Sequence, residues 1–188
     1  MPTPLLPGLQ LQPLPYHDLL PLRDPATLAL VVIHCTELPD LAMAREYGER
    51  VLYDSGAGNS GHFYIDRDGR VVQYVAPERI AHHVRGMNAD SVGIELVNTG
   101  RYPHWFDSRH QAMDEPYTEA QLVALEALLQ ALVARYPSLR GIAGHDQLDL
   151  EQVPASDDPA LRVARKRDPG PLFPWARVLE RVPLQRVG

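Results

Sequence analysis

The chain has 188 residues, of which 45% are hydrophobic and 22% charged, and its formal net charge is −6. This length and composition are typical of one globular domain with a substantial hydrophobic core. The negative charge without a long basic stretch argues against nucleic-acid binding, and a single cysteine excludes an intramolecular disulfide framework and a cysteine-rich zinc finger.

The N-terminal region is rich in proline. Residues 1–25 carry seven of the 18 prolines, which predicts an extended arm over 1–25 in front of a single domain over 26–188. The first residues lack the cationic start and continuous apolar stretch of a signal peptide, and no segment approaches the length of a transmembrane helix. The chain as given is therefore expected in the cytoplasm, or in the periplasm if a leader is missing.

The next segments predict a strand, a helix and a loop. The apolar run from Thr27 is typical of a central strand that is buried on both faces and carries His34 at its end. Asp40 can cap a helix that continues to about Tyr53. The glycine-rich residues 55–61 follow as a loop, and they lack the Lys-Ser/Thr pair of a phosphate-binding loop.

The middle of the chain predicts a hairpin and then a strand with an unusual residue in it. Asp68-Gly69 separates two strand-like runs, a strong signal for a β-hairpin. The apolar run 91–98 predicts another strand, and it contains Glu95. A carboxylate that faced a core unpaired would be costly. Because Glu95 points opposite to Ile94 and Leu96 on a strand, we expect it to face a cleft or water.

The C-terminal half predicts two helices around a second strand that ends in histidine. A capping box at 118–121 begins a helix that stops before Pro137. The next apolar run is a short strand ending in His145, residues 146–165 read as a long polar loop, and Pro174 can open a last helix. The fold class is therefore α/β or α+β, with a central mixed β-sheet flanked by helices.

Three residues are of types that bind catalytic zinc, which takes three protein ligands and leaves one position open: His34, His145 and Asp168. Their long spacing is a weak signal. A histidine at a strand end is more often a surface or hydrogen-bonded residue, and Asp168 before Pro169 can be a turn residue. Lys166 is two residues from Asp168, so both side chains lie on one side if that segment is extended.

Six segments together carry a family resemblance, in order over about residues 28–180: Val32-Ile33-His34; residues 61–65 with Arg67-Asp68-Gly69; His83 with Gly86 and Asn88; residues 91–98; Gly144-His145; and residues 166–171. As a set, they resemble the zinc-dependent N-acetylmuramoyl-L-alanine amidases of the AmpD type. This group is related to phage lysozyme-like amidases and peptidoglycan recognition proteins. The resemblance implies the mixed-sheet fold of those proteins.

The resemblance also implies a site and a reaction. One Zn²⁺ ion would be held by His34, His145 and Asp168, and Glu95 and Lys166 would be the catalytic pair. The related branches often have cysteine in place of the aspartate and tyrosine in place of Glu95, so this chain is more similar to the AmpD side. The implied reaction is hydrolysis of the amide between N-acetylmuramic acid, or its 1,6-anhydro form, and L-alanine of peptidoglycan stem peptides, in cell-wall turnover and recycling.

Other assignments stay open at this point. His83 is a predicted substrate contact, or else a residue whose hydrogen bond orders its loop, and Arg85 is predicted to bind a peptide carboxylate. Cys35 follows His34 but points to the opposite face, so it is expected as a buried residue and not a ligand. The expected partners are muropeptides and peptidoglycan fragments. The alternatives are a peptidoglycan-binding module without hydrolysis and a zinc amidase for another N-acyl peptide.

Overall fold

A computed structural model describes residues 5–188, so the first four residues of the predicted arm lie outside it. The strands are β1 (Gln10–Leu11), β2 (Leu30–Cys35), β3 (Phe63–Ile65), β4 (Val71–Gln73), β5 (Ser91–Leu96), β6 (Gly141–Gly144), β7 (Gln152–Pro154), β8 (Arg162–Ala164) and β9 (Gln185–Arg186). The helices are α1 (Leu41–Glu49), α2 (Glu119–Arg135), α3 (His145–Leu148) and α4 (Trp175–Arg181). No helix in the described range is long and apolar enough to cross a lipid bilayer.

The main sheet has seven strands in the order β1-β4-β3-β5-β2-β6-β9, and β7 pairs with β8 in a separate sheet. Strand β2 lies between β5 and β6, is parallel to both, and is buried along its whole length, as a strand covered on both faces should be. Strands β3 and β4 pair antiparallel around the Asp68-Gly69 turn, which confirms the hairpin and the mixed sheet.

The strand register brings distant residues to one edge of the sheet. His34 on β2 is the direct neighbour of Glu95 on β5, and Ile33 is the neighbour of Gly144 on β6. His145 therefore follows the end of β6 beside His34. The carboxyl ends of parallel strands in open sheets are where ligands commonly bind.

Helix α2 covers the core as predicted. The Thr118 hydroxyl accepts the Gln121 amide proton, and the Gln121 side chain accepts from the Thr118 amide, which completes the capping box. Helix α1 begins after Asp40 as predicted but ends at Glu49, before the expected Tyr53. It ends early because the amides of Leu52 and Tyr53 bond to the Ala57 carbonyl in a turn instead of continuing the helix.

Residues 146–165 do not form the predicted long loop. They contain the short helix α3 and the antiparallel pair β7–β8. The two strands have only three residues each, and most of their side chains are at least partly exposed. Such strands lack the apolar alternation that would reveal them in a sequence.

The described part of the N-terminal arm packs against the rest of the domain. Strand β1 adds to the sheet edge by pairing with β4. Leu14, Tyr16 and Leu20 are buried in a second hydrophobic cluster beneath α1. The Arg23 guanidinium donates to four backbone carbonyls across the chain, those of Pro77, Asn88, Ala89 and Ser91.

Candidate active site

One cleft at the carboxyl edge of the parallel strands contains all the residues that the sequence singled out. Its volume is about 770 Å³. The predicted metal ligands, catalytic pair and substrate contacts line it together, namely His34, His83, Arg85, Glu95, His145, Lys166 and Asp168. These residues come from five separate stretches of the chain, and the sheet register and the segment after β8 bring them to one place.

The centre of the cleft is a cluster of two imidazoles and one carboxylate. Asp168 Oδ2 lies 2.9 Å from His34 Nδ1 and 3.1 Å from His145 Nδ1. One potential ligand atom of each residue lies within 4.8 Å of the others, and all three residues are buried. Among the described residues this is the one cluster with such geometry.

The charges in this cluster fit a metal cation. Burial lowers the pKa of His34 to about 4 despite its hydrogen bond to Asp168, so the ring is neutral at pH 7. Burial opposes ionisation of Asp168, but His145, His34 and Lys166 outweigh it and hold its pKa well below the usual range. Buried His145 Nε2 and Asp168 Oδ1 lack hydrogen-bond partners. Two imidazoles and one carboxylate are a donor set of catalytic zinc.

Cys35 does not take part in this cluster. It is a free, buried thiol next to His34, and the candidate ligand set does not include it. Burial, reinforced by the charges of Asp168 and Glu37, raises the pKa of this thiol well above its usual value. The thiol therefore favours its neutral form, as expected for a buried residue outside the ligand set.

Glu95 lies beside the cluster with its carboxylate toward the cleft. Its Oε1 is 3.9 Å from His34 Nδ1, and the side chain is 15% exposed. Burial raises its pKa to about 8, the charge of Asp168 adds to this, and Lys166 opposes it. A carboxyl group with a pKa near neutrality can both accept and return a proton, which suits a general acid–base residue.

Lys166 supplies a positive charge beside Glu95 and Asp168, and it is the only lysine in the sequence. Its charge lowers the pKa of both Glu95 and Asp168. The two residues before it are held by buried Arg101, which donates to the carbonyls of Ala164 (2.9 Å) and Arg165 (3.4 Å).

Arg101 in turn forms a two-pronged ion pair with Glu37, with N–O distances of 2.7 and 2.8 Å. Glu37 has a φ of +49°, a backbone conformation that non-glycine residues adopt at a cost. The sequence reasoning missed both residues, because no motif joins two charges that lie 64 positions apart.

The two predicted substrate contacts differ in their surroundings. His83 Nδ1 lies 3.0 Å from His34 Nε2, and His83 Nε2 lies 3.2 Å from the Ser91 hydroxyl, so both ring nitrogens have partners within the protein. Arg85 is 69% exposed on its side chain and pairs with Glu151 at 2.7 Å. Arg85 therefore reaches a ligand more readily than His83 does.

The chain is similar in sequence to proteins of one known family. The family model described as N-acetylmuramoyl-L-alanine amidase (Amidase_2) matches residues 24–171. The 1,6-anhydro-N-acetylmuramyl-L-alanine amidase AmpD of Enterobacter cloacae is 29% identical over 187 residues, covering 88% of this chain and 85% of the relative. AmpD of Escherichia coli (strain K12) is 30% identical, with 90% of each chain covered.

A solved structure shows the same architecture. The crystal structure of a selenomethionine derivative of AmpD superposes with a TM-score of 0.68 and 26% identity, covering 94% of this chain and 96% of that one. The similarity therefore extends over nearly the whole of both chains. The predicted fold class is therefore confirmed.

Proposed function

This chain belongs to the Amidase_2 family of N-acetylmuramoyl-L-alanine amidases, and from that premise we propose that it hydrolyses the amide between N-acetylmuramic acid and L-alanine of peptidoglycan stem peptides. The observation that carries the proposal is the convergence of His34, His145 and Asp168 beside Glu95. The amidase resemblance read from the sequence is confirmed. A binding module without hydrolysis is not favoured, because a general base and a cation also line the cleft.

We propose one Zn²⁺ ion as the cofactor, held by His34, His145 and Asp168. The donor types and the buried atoms without partners support this assignment. When bound, zinc supplies Lewis acidity, which polarises a carbonyl oxygen and acidifies water. The carboxylate of Asp168 balances part of the cation's charge, and the sheet fixes the positions of both imidazoles.

Glu95 and Lys166 divide the remaining chemistry. The Glu95 carboxylate accepts the proton of the attacking water and returns it to the departing alanine nitrogen. The Lys166 ammonium stabilises the negative charge that develops on the carbonyl oxygen as the carbon becomes tetrahedral. Arg85 at the exposed part of the cleft is proposed to bind a carboxylate of the stem peptide. Burial of Glu95 keeps its pKa high enough for both halves of the proton transfer.

The proposed substrate is a soluble 1,6-anhydro-muropeptide, the compound class named for the AmpD relatives. The acidic net charge of −6 agrees with this, since a protein that binds the anionic cell wall gains from basic charge. We propose that the reaction belongs to the recycling of released wall fragments.

Mass spectrometry of reaction products tests this function. The protein is incubated with soluble 1,6-anhydro-muropeptide and with intact sacculi, each with and without a chelator. We expect the soluble substrate to yield free stem peptide and the anhydro-sugar, and the chelator to abolish the reaction. Metal-free protein that binds muropeptide tightly while zinc-loaded protein cleaves nothing would indicate a binding module instead.

Replacing the general base separates chemistry from metal binding. Glu95→Gln keeps the side-chain shape but cannot take up a proton, so we expect turnover to fall about 10²–10⁴-fold. Zinc content, measured by elemental analysis, should stay at one ion per chain because Glu95 is not a proposed ligand. Cleavage at the wild-type rate would contradict the general-base assignment.

A further inference from the structure

A chain of hydrogen bonds leads from the proposed zinc ligand His34 to a buried backbone carbonyl. His34 Nε2 lies 3.0 Å from His83 Nδ1, and His83 Nε2 lies 3.2 Å from the Ser91 hydroxyl. The Ser91 hydroxyl in turn lies 2.7 Å from the Met87 carbonyl oxygen. Ser91 is fully buried, so water does not compete for its hydroxyl.

The Met87 carbonyl, at the end of these hydrogen bonds, fixes the direction in which protons are donated along them. The Met87 carbonyl can only accept, so the single Ser91 proton goes to it. Ser91 Oγ then accepts the proton on His83 Nε2. Because a neutral imidazole carries one proton, His83 Nδ1 is left as an acceptor and receives the proton on His34 Nε2. His34 Nδ1 is thereby left with a lone pair for a metal ion, which would take the place of the proton in the 2.9 Å contact with Asp168.

We propose that His83 and Ser91 are positioning residues that hold the His34 proton on Nε2 and so present Nδ1 to the metal. This inference rests on the proposed function, since it concerns the same metal centre. Hydrogen-bond partners of metal-bound histidines set the tautomer and the ring orientation in this way. With both nitrogens so engaged, the role of His83 is directed toward His34 and not toward the substrate.

The opposite direction of the chain is less favourable for metal binding. It would place the His34 proton on Nδ1, against Asp168, and would block the atom that faces the cluster. It would also turn the Ser91 proton to His83 and break the 2.7 Å hydrogen bond to the Met87 carbonyl, which is the shortest of these three hydrogen bonds. The Met87 carbonyl at one end of these hydrogen bonds favours donation from His34 toward Met87. A metal ion on His34 Nδ1 at the other end would favour the same direction.

Two further features hold the His83 ring in place. Asn88 Oδ1 accepts the backbone amides of His83 and Val84, at 3.0 and 2.8 Å. The ring lies against Gly93 of β5, where a Cβ atom would be 2.6 Å from His83 Nδ1. The backbone and the ring are therefore both fixed, which a residue that only fills a loop does not require.

Removing the Ser91 hydroxyl tests this hydrogen-bond relay, which runs from His34 through His83 and Ser91 to the Met87 carbonyl, with a small change. Ser91→Ala leaves His83 Nε2 without its acceptor, and we expect zinc affinity to fall about 10–100-fold. Affinity is measured by competition between the zinc-loaded protein and a chelator of known strength. Ser138→Ala is the matched control, because the Ser138 hydroxyl also donates to a backbone carbonyl, that of Pro25, but lies outside the relay. The control should bind zinc as the wild type does.

Two substitutions of His83 separate the hydrogen bond from the packing. In His83→Asn, the amide oxygen takes the place of Nδ1 and can still accept from His34, whereas His83→Leu removes the acceptor. We expect the asparagine variant to bind zinc more tightly than the leucine variant. In NMR spectra of the zinc-loaded wild type, the His34 Nε2 proton should exchange slowly with water, and this signal should be lost in His83→Leu.

The outcomes are distinguishable. If His83→Leu fails to fold, Ser91→Ala decides alone, with its melting temperature as the check on folding. Full zinc affinity in a folded Ser91→Ala protein would overturn the relay while leaving the proposed function intact. A wild-type protein that takes up no zinc would overturn the proposed function and this inference with it.

Discussion

Two glycines leave room for side chains on which the proposed chemistry depends. A Cβ atom on Gly61 would lie 2.9 Å from Glu95 Cγ, and one on Gly93 would lie 2.6 Å from His83 Nδ1. Both glycines have ordinary φ angles, so the site needs them for space and not for a left-handed backbone. Each glycine therefore controls the position of a functional side chain through the space that it leaves for it.

The position of Glu95 can be tested through its glycine neighbour. Gly61→Ala should displace the Glu95 side chain, and a displacement of about 1 Å can lower turnover about 100-fold. Zinc content should not change, because no proposed ligand moves. Gly48→Ala is the control, since its Cβ atom would meet Leu14 at an ordinary 3.5 Å. Equal kcat in the wild type and Gly61→Ala would contradict the account.

Another buried histidine, His62, should make the fold sensitive to acid. Burial and the charge of Arg23, whose Nη2 lies 2.8 Å from His62 Nε2, lower the pKa of His62 from 6.5 to about 3. His62 Nδ1 accepts the Gly93 amide proton, and the ring lies 5.4 Å from that of His83. Below pH 6.5 the unfolded chain binds a proton that the folded chain refuses, so stability falls as the pH falls, by about 1 kcal/mol per pH unit.

Urea denaturation at pH 7 and pH 5 measures this effect, with chelator present so that metal loss does not contribute. His62→Asn keeps an acceptor for the Gly93 amide but cannot take up a proton. The loss of unfolding free energy between the two pH values should therefore be smaller in His62→Asn than in the wild type. Equal losses in both proteins would contradict the assignment.

At the scale of single residues, the functional residues at strand ends could be predicted, whereas the residues that hold them in position could not. His34 and His145 end apolar runs, and Glu95 interrupts one, so the sequence itself marks them. The roles of the metal ligands needed the family resemblance. Ser91 and Arg101 carry no such mark, because their importance depends on partners that only the folded register supplies.

At the scale of elements, the Glu37–Arg101 pair connects three segments around the cleft. It joins the turn after β2 to the loop that carries Arg101 and, through two carbonyls, to the end of β8 just before Lys166. A buried ion pair contributes little net stability compared with apolar residues. Its value here lies in the placement of Lys166.

Removing both charges of this pair avoids leaving one of them buried alone. In the double variant Glu37→Gln/Arg101→Gln, we expect kcat to fall about 100-fold through misplacement of Lys166, with zinc retained. Because Lys166 is the only lysine, mass spectrometry after amine labelling reports its accessibility, which should rise.

The matched control for this experiment is Arg67→Gln/Glu115→Gln, which removes another two-pronged pair, with N–O distances of 2.6 and 3.1 Å. That pair does not contact the segment before Lys166, so the control should keep its kcat. If both double variants lose kcat equally, the Glu37–Arg101 pair has no specific role in placing Lys166.

The elements that could be predicted are those with local signals. The capping box, the Asp-Gly turn and the uniform apolar runs gave α2, the β3–β4 hairpin and the central strands. The β7–β8 pair escaped prediction because its strands are short and only Val163 among their residues is buried. Ion pairs of Arg165 with Asp149 and Glu151 lie at the base of the pair. No sequence period records that kind of stabilisation.

At the scale of the whole molecule, the order of the strands was beyond the sequence. The composition and the hairpin predicted a mixed sheet, but nothing local specified that β2 would lie between β5 and β6. That order brings together His34, His145 and Asp168, although Asp168 lies 134 positions after His34 and 23 positions after His145. The three proposed ligands therefore come together only when β2, β6 and the segment after β8 are all in place.

Because of this arrangement, we expect the proposed zinc ion to stabilise the entire fold. A ligand that binds only the folded state adds about 4 kcal/mol at a concentration 1,000 times its Kd. For a domain of this size, that corresponds to a rise in melting temperature of about 10 °C. Calorimetry of the protein with excess zinc and with chelator measures the difference. Asp168→Asn keeps the size of the ligand but removes its charge, so its melting temperature should respond far less to zinc. Equal melting temperatures for the zinc-treated and chelator-treated wild type would show that the buried cluster does not bind zinc in the folded state.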